Sequence, residues 1–288
     1  MTEELPTVTV VIPTRDRPGL LERAVAAVLS QDYAGEVECL VLYDHVDVRT
    51  LDLVVPTGRS LRCAANTHRP GLPGGRNSGF ELATGELVAF CDDDDVWLPA
   101  KLRKQVELLQ ARPDAAAVSC GIQLHGNGRT RQRRAGVGEV RLADLLADRV
   151  MEVHSSTMLV PRATYAAAGP VDEDIPGGYG EDYEWLLRVA AYGPIVIVPD
   201  VLVTVDWHGG SFFFGRWALI VEATRYLLER HPELRGSRPG MARLHGQIAF
   251  ALAAGRRRRE ALRELAVVAR FNPLEKRLPV TLAVASGL

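Results

Sequence analysis

Four consecutive aspartates at residues 92–95 follow an apolar run at 87–91 and precede the segment 96–99, Val-Trp-Leu-Pro. Four carboxylates at the end of a buried strand repel one another strongly unless a cation lies among them. Mg²⁺ or Mn²⁺ binds one or two carboxylates and keeps positions open for phosphate oxygens. A solvated acidic turn is the alternative, but a strand before the acids and a helix start after them favour a site for a metal-bound phosphate compound.

The composition argues against several classes of protein. The 288 residues are 47% hydrophobic, which is ample for a core, and the formal net charge of −2 gives no general attraction to nucleic acid or membrane. Arginines nevertheless cluster at 129–134 and 256–259, either as solvated surface or as contacts for phosphate or lipid headgroups.

The four cysteines, Cys39, Cys63, Cys91 and Cys120, lack the CxxC spacing of a zinc site. Three of them lie in apolar, strand-like runs, which indicates buried side chains in a reducing compartment. The N-terminus lacks the basic and apolar regions of a signal peptide, and no apolar stretch approaches the ~18 residues of a spanning helix. These features predict a cytoplasmic protein, with peripheral contact at the inner face of the membrane as a further option.

The elements that must position the acids follow a β-α-β pattern. A β-branched strand at 7–12 ends at Pro13, a helix begins near Pro18, and a second strand at 37–43 ends before Asp44. Later segments are predicted as a loop at 66–75, a helix at 75–84, a strand leading to the aspartates, a helix from Trp97–Pro99, a strand at 115–124, a flexible loop at 126–138, a mobile glycine-rich loop at 169–180, a helix at 181–191, short strands at 195–198 and 201–205, and helices from residue 212 onward. This alternation predicts a mainly parallel α/β sheet that binds its ligand at the carboxyl ends of its strands.

Short motifs occur in a fixed order at these strand ends and helix starts. They are Pro13-Thr14-Arg15-Asp16-Arg17, Asp44, Arg76-Asn77-Ser78-Gly79, the aspartates at 92–95, Gly180-Glu181-Asp182-Tyr183-Glu184 and Trp207-His208-Gly209-Gly210-Ser211. Together they resemble the motif series of the family 2 glycosyltransferases of the GT-A fold, over residues 7–211.

The resemblance implies a fold and a division of the chain. It implies a GT-A (Rossmann-like) domain at 1–211, with a mainly parallel mixed sheet flanked by helices. The nucleotide-sugar-binding half is expected at about 1–98 and the acceptor half at 99–211. Residues 212–288 carry no recognisable motif and are expected to form a C-terminal helical appendage.

The resemblance also implies roles for residues of the donor site. Pro13, Thr14 and Arg15 would line the nucleoside end of the pocket, and Asp44 would accept a hydrogen bond from the base. The family often has Asp-Asp-Gly-Ser where this chain has Tyr-Asp-His-Val at 43–46, so uracil, thymine and guanine all remain open. For Asp44 the structural alternative is a helix cap.

Two further residues of the donor half, Arg76 and Asn77, resemble the pair that stabilises the loop around the nucleoside and metal. Ordinary capping and a surface salt bridge are the structural alternative for this pair.

The acids resemble the family's DxD and ED motifs. Asp94 is the implied metal ligand, and Asp92 or Asp93 would bind the ribose hydroxyls. Asp95 is expected only to cap the following helix. Asp182 is the implied catalytic base, although acids are favoured in a first helical turn in any case.

The last of the motifs contains His208, which is implied to approach the diphosphate or the metal. A structural role is the alternative for this histidine, because it shows no ligand spacing with the other histidines of the chain.

The resemblance therefore implies an inverting, metal-dependent hexosyltransferase that uses a UDP-, dTDP- or GDP-sugar with Mg²⁺ or Mn²⁺. The acceptor would be a glycan, a lipid-linked or a small molecule, whereas nucleic acid is not expected; peripheral membrane contact and a homodimer stay open. A sugar-nucleotide-forming nucleotidyltransferase is one alternative, disfavoured because no glycine occurs between Pro13 and Gly19. A catalytically silent nucleotide-sugar-binding protein is another, disfavoured by Asp94 and Asp182.

Overall fold

The computed structural model describes residues 4–126, 128–206 and 213–286. The chain forms two compact units. The first, which we call the sheet unit, comprises Met1–Arg141, Val150–Glu173 and Trp185–Gly209. The second, the helical unit, comprises Leu142–Arg149, Asp174–Glu184 and Gly210–Leu288. The helical unit thus includes two short segments that the sequence placed in the domain at 1–211.

The strands are β1 (Val8–Thr14), β2 (Val37–Tyr43), β3 (Arg59–Ala65), β4 (Leu87–Phe90), β5 (Val96–Trp97), β6 (Ala117–Gly126), β7 (Arg129–Arg133), β8 (Glu139–Val140), β9 (Leu159–Pro161) and β10 (Ile195–Asp206). The α-helices are α1 (Pro18–Leu29), α2 (Leu72–Leu82), α3 (Lys101–Ala111), α4 (Leu142–Ala147), α5 (Arg162–Ala168), α6 (Glu181–Val189), α7 (Trp217–Arg230), α8 (Arg238–Ala254), α9 (Arg258–Phe271) and α10 (Arg277–Ser286). Short 3₁₀ turns occur at Ser155–Thr157, Pro176–Gly178 and Pro232–Gly236.

The strands of the sheet unit form one mixed sheet in the order β3-β2-β1-β4-β9-β6-β10-β5, with β7 paired to β6 and β8 to β10. The ladders among β3, β2, β1 and β4 and between β6 and β10 are parallel. The strand β9 runs antiparallel to both β4 and β6 and so joins these two parallel blocks. Helices α1, α2 and α3 pack on the sheet. The predicted mainly parallel mixed sheet flanked by helices is confirmed.

Several local predictions in the first half of the chain need correction. The edge strand β3 was missed, because its alternating polar residues lack the apolar run that reveals β1 and β2. Strand β1 continues through Pro13 to Thr14, where the ladder with β2 goes on. Helix α2 begins at Leu72 rather than Gly75, since Pro73 fits its first turn.

Three further predictions fail because strand pairing overrides local pattern. Val96–Trp97 is not a helix start but strand β5, which pairs antiparallel with β10. The predicted flexible loop at 126–138 contains β7, which pairs with β6. The two short strands predicted at 195–198 and 201–205 are one strand, β10, with irregular register between Val198 and Val203.

Helix α2 lies unusually close to strand β1 because two glycines face it. A Cβ atom at Gly75 would come within 2.9 Å of Cβ of Pro13, and one at Gly79 within 2.2 Å of Cγ1 of Val11. Such approach distances exclude any side chain larger than hydrogen. The helix is thereby seated directly on β1, and its Arg76 lies between these glycines, near the carboxyl ends of the strands.

The helical unit contains α4, α7, α8, α9, α10 and the first turn of α6. Its apolar core includes Ile220, Val221, Ile248, Leu252 and Ala261. The helices predicted for the C-terminal part are confirmed. Within the described ranges, no helix combines the length and apolar character needed to cross a bilayer.

Candidate active site

The acids at 92–95, which we call the aspartate turn, connect β4 to β5. The N–H of Asp95 donates to the carbonyl of Asp92 at 3.1 Å and closes the turn. The carboxylate of Asp92 accepts from Arg76 Nη2 at 2.8 Å and from Ser155 Oγ at 3.1 Å. Arg76 is buried, so this contact ties helix α2 firmly to the turn.

The middle two acids of the turn contact the end of β1. Asp93 accepts from Thr14 Oγ1 at 2.7 Å and lies 3.0 Å from Arg17 Nη2. The other terminal nitrogen of Arg17 donates to Asp94 Oδ2 at 2.7 Å. The Asp94 side chain is 32% exposed, whereas that of Asp93 is 2% exposed. Asp94 is therefore the more accessible of the two carboxylates.

Asp95 does not cap a helix, contrary to expectation. It is buried, and its carboxylate is hydrogen-bonded by Ser156 and by the backbone of Asp206. The residue therefore anchors the turn to the 3₁₀ turn at Ser155–Thr157 and to the end of β10.

The aspartate turn is short of positive charge. Burial raises the pKa of Asp93 to about 6, although Thr14 and Arg17 oppose the shift. Burial and the charge of Asp92 raise the pKa of Asp94. Burial, again with Asp92, raises the pKa of Asp95 well above its usual range. An added cation would favour the ionised forms of all three.

The turn fits a hard divalent cation in its chemistry. Carboxylate oxygens are the ligands that Mg²⁺ and Mn²⁺ prefer. Across residues 4–126, 128–206 and 213–286, no group of three or more His, Cys, Asp or Glu side chains converges as a ligand set. Mg²⁺ is commonly held by one or two carboxylates and completed by substrate phosphate oxygens and water. Asp94 would hold such a cation in place of its contact with Arg17.

The residues predicted for the nucleoside end of the donor pocket lie at the ends of β1 and β2. Pro13 and Thr14 are buried, and Arg15 is exposed. The N–H of Asp44 donates to the carbonyl of Thr14 at 2.9 Å. The Asp44 carboxylate accepts from Asn66 Nδ2 at 2.9 Å and, at the start of α2, from the N–H of Gly71 at 3.0 Å. Asp44 is thus held rigidly. It is not a helix cap residue, because the residue before α2 is Gly71, 27 positions further along the chain.

Asn77 faces away from the aspartate turn. Its Nδ2 donates to the carbonyl of Val171 at 2.9 Å and to Glu173 Oε1 at 2.6 Å, and its Oδ1 accepts from the N–H of Val171 at 2.8 Å. His68 Nδ1 adds a 2.7 Å contact to Glu173. The expectation that the whole segment 169–180 lacks packed structure is therefore wrong for residues 171–173.

Asp182, the predicted base, belongs to the helical unit and lies in the first turn of α6. Its Oδ1 accepts from the N–H of Tyr183 at 2.8 Å, and its Oδ2 accepts from Arg149 Nη2 at 2.5 Å. The carboxylate is partly exposed, whereas Glu181 is buried. The Asp182 charge is the main cause of the raised pKa of Arg149.

The structure brings Thr14, Arg76 and the aspartate turn together. Predicted residue His208 lies outside the described residues. Four contacting residues were missed: Arg17, Ser155, Ser156 and Arg149. Arg17 is the last residue of the motif at 13–17, which is a signal that could have identified it. Arg149 occurs in a segment with no motif or periodicity to reveal it.

Solved structures of low sequence identity share this fold. TarS from S. aureus, residues 1–349 in complex with UDP, superposes with a TM-score of 0.61 at 17% identity, covering 97% of this chain and 87% of that one. The mannosyltransferase PcManGT from Pyrobaculum calidifontis, in complex with GDP-Man and Mn²⁺, gives a TM-score of 0.57 at 20% identity, covering 99% and 87%. The fold is therefore that of the GT-A glycosyltransferases.

Sequence comparison identifies the family of the chain. Residues 9–165 match the model of glycosyl transferase family 2, and the chain belongs to that family. An uncharacterised glycosyltransferase of Nostoc sp. is 27% identical over 174 residues, 58% of this chain and 52% of that protein. The Escherichia coli UDP-Glc:alpha-D-GlcNAc-diphosphoundecaprenol beta-1,3-glucosyltransferase WfgD is 29% identical over 103 residues, 35% of this chain and 40% of that protein. The chain spans about half the length, or less, of these relatives.

Proposed function

We propose that this protein transfers a hexose from a nucleotide-sugar donor to an acceptor hydroxyl, with inversion at the anomeric carbon. The aspartate turn is the observation that carries the proposal. It places an accessible carboxylate, Asp94, beside a buried one, Asp93, whose pKa is raised by burial. Such a group of carboxylates is suited to a divalent cation and a diphosphate.

In the proposed donor site the chain's residues bind and orient the nucleotide. Asp44 accepts a hydrogen bond from the base, Pro13 and Arg15 border the nucleoside, and Asp92 or Asp93 receives the ribose hydroxyls. Arg76 and Thr14 hold the turn in shape, and Asn77 fixes the neighbouring segment. Mg²⁺ or Mn²⁺ at Asp94 would neutralise negative charge on the leaving diphosphate. His208 is proposed to approach the diphosphate.

Asp182 is the proposed general base. Inversion requires a carboxylate that removes the proton from the acceptor hydroxyl while that oxygen attacks the anomeric carbon opposite the leaving group. Its partly exposed carboxylate supports this role, and its contact with Arg149 holds it in place before the acceptor binds. Glu181 is buried and is proposed to support the start of the helix.

The acceptor is proposed to be lipid-linked. The relative from E. coli is named for a diphosphoundecaprenol-linked acceptor, as is one from Campylobacter jejuni. Helices α9 and α10 and the turn between them expose Leu262, Leu274, Val280 and Leu282, and the exposed arginines at 256–259 lie at the start of α9. Apolar side chains beside basic ones suit contact with an anionic lipid surface. A homodimer remains the alternative use of this surface.

Metal-dependent donor binding is the central test. We expect UDP, GDP or dTDP with Mn²⁺ to raise the melting temperature, because a ligand at 100 times its Kd adds about 2.7 kcal/mol to the free energy of unfolding. Asp94→Ala should abolish the part of this increase in melting temperature that depends on Mn²⁺. The control Asp52→Ala removes an exposed aspartate elsewhere in the sheet unit and should leave it unchanged. Equal, metal-independent nucleotide binding in all three proteins would refute the proposal.

A further inference from the structure

A cavity of about 40 Å³, lined by both polar and apolar side chains, lies in the helical unit. Its lining includes Arg149, Tyr179, Tyr183, Arg243 and Gln247. At ~10–15 Å³ per water molecule, the cavity has room for about three waters or for one phosphate-sized oxyanion. We call it the arginine pocket, because two guanidinium groups face it.

Arg243 is incompletely satisfied in this pocket. Its side chain is 7% exposed, and its Nη2 donates to the Tyr183 hydroxyl at 2.7 Å. Its buried Nε makes no hydrogen bond to any of the described residues. The Asp148 carboxylate lies 3.5 Å from Nε, which is an ion pair without the geometry of a hydrogen bond, and Asp148 is 64% exposed. A buried N–H without a hydrogen-bond acceptor is costly, so this nitrogen favours a ligand oxygen at hydrogen-bond distance over the carboxylate at 3.5 Å.

The arginines around the pocket are paired with carboxylates. Burial lowers the pKa of Arg243, and the charges of Arg277 and Arg149 act in the same direction, against Tyr183 and Asp148. Arg149 pairs with Asp182, and Arg277 with Glu275 at 3.1 Å. Gln247 contributes an amide that donates to the Tyr179 hydroxyl at 2.5 Å. The pocket thus combines guanidinium groups that have carboxylate partners with neutral polar groups, and an oxyanion would bind the guanidinium groups in place of those carboxylates.

We propose that the arginine pocket binds a phosphate group of the acceptor. This inference rests on the proposed function, because it assigns the anion to the acceptor substrate. Arg149 lines the pocket and also holds Asp182, so an acceptor phosphate bound there lies within one side chain of the proposed base. The phosphate competes with Asp182 for the same guanidinium. Acceptor binding therefore releases the Asp182 carboxylate to accept the hydroxyl proton.

Inorganic phosphate is the first probe, measured by calorimetry at constant ionic strength against chloride. Wild type should bind it, and Arg243→Gln should weaken binding by at least about tenfold, as expected for the loss of charge-assisted hydrogen bonds. The control Arg263→Gln removes an exposed arginine of α9 and should bind phosphate as wild type does. Equal binding by wild type and Arg243→Gln would overturn the proposal.

A second variant covers the case in which Arg243→Gln fails to fold. Gln247→Glu preserves the shape of the side chain and places a carboxylate in the pocket. It should raise the melting temperature in chloride, because the carboxylate pairs with the arginines, and it should abolish phosphate binding. Unchanged phosphate binding by a folded Gln247→Glu protein would contradict the assignment.

A short alkyl diphosphate distinguishes an acceptor site from a site for free phosphate. It should displace inorganic phosphate from wild type and lose affinity in Arg243→Gln. Failure to displace phosphate would overturn the acceptor assignment. Nucleotide binding with Mn²⁺ is measured in the same samples and should not respond to Arg243→Gln. Failure of the proposed function would appear as loss of that nucleotide response, independently of the arginine pocket.

Discussion

The carboxylate of Asp182 and that of its neighbour Glu181 differ in their surroundings. Asp182 is partly exposed and bonded to Arg149, whereas Glu181 is buried. Adjacent helix residues point about 100° apart, so both cannot reach one acceptor hydroxyl. Asp182→Asn keeps the shape but cannot accept a proton. We expect transfer to fall by about 10²–10⁴-fold with donor affinity nearly unchanged, measured by turnover and nucleotide titration.

Glu181→Gln is the matched control for this prediction. It should cost little turnover, because the glutamate is proposed to support the helix start only. Near-normal turnover by Asp182→Asn would transfer the role of base to another acid.

For individual residues, the sequence predicted part of the candidate active site. Thr14, Arg76 and the acids at 92–95 came from motif order, and the structure brings them together. Arg17 and Arg149 contact acids that are 77 and 33 residues distant along the chain. No local pattern encodes which arginine pairs with a distant carboxylate, so these partners required the tertiary structure.

The contact between α2 and β1 depends on the glycines of the helix. Gly79→Ala would place Cβ 2.2 Å from Cγ1 of Val11, and the clash should outweigh the better helix propensity of alanine. We expect a loss of about 1–3 kcal/mol in the free energy of unfolding, measured by chemical denaturation. Gly19→Ala in α1, where nothing lies within 4 Å, should instead stabilise the protein by up to about 1 kcal/mol. A stabilising Gly79→Ala would show that α2 is free to shift.

A buried histidine links α6 to the turn after α7. His231 Nε2 lies 3.0 Å from Glu184 Oε1, and its Nδ1 lies 2.6 Å from Glu233 Oε1. Burial lowers the pKa of His231, but the two carboxylates outweigh it and raise the pKa above its ordinary value. The ion pairs of protonated His231 with these carboxylates therefore stabilise the folded state fully below a pH of about 6.5. This contribution to the free energy of unfolding is lost as the pH rises through the raised pKa of His231.

We therefore predict that, between pH 6 and pH 9, His231→Gln destabilises the protein most at the low end. The difference in free energy of unfolding from wild type should shrink between pH 6 and pH 9, as measured by denaturation at each pH. His125→Gln, which changes an exposed histidine on β6, is the control and should show no such trend. A difference that grows with pH would contradict the ion-pair explanation.

Strands and helices were predictable from the sequence where the residues of the element itself show its apolar run, its periodicity or its terminal proline. The runs of β1, β2 and β4 are buried along their length, and periodicity or a terminal proline marks α1 and the later helices. Strands β5 and β7 were missed because they are short or polar. β5 exists only by pairing with β10, about a hundred residues away, which no local window contains.

At the scale of the whole molecule, charge and apolar exposure are unevenly distributed. The net charge of −2 conceals a cluster of arginines at 256–259, and the helical unit also exposes several leucines. We expect salt-sensitive sedimentation with anionic vesicles, and weaker binding by Leu274→Ser, since this leucine is 89% exposed. Val54→Ser changes a side chain that is 90% exposed in the sheet unit and should bind as wild type does. An equal loss of vesicle binding in both variants would exclude a specific membrane-binding surface.

The division into units also shows what remains hidden in a sequence. The boundary predicted at residue 211 follows the last motif, but the helical unit also takes up residues 142–149 and 174–184. Tyr183 donates to the carbonyl of Leu145 and accepts from Arg243, 60 residues further on. These contacts tie three segments together without any change in composition where they begin or end.

Strand β3 closes one side of the sheet, pairing with β2 alone in the part of the chain that the structure describes. Its Arg59 donates to the carbonyls of Tyr33 and Gly35, and its Arg62 pairs with Glu38 at 3.1 Å. An open strand edge recruits further strands into aggregates unless charge opposes the approach. The two arginines along this short strand therefore place positive charge at the open edge, which disfavours the addition of a further strand from another molecule.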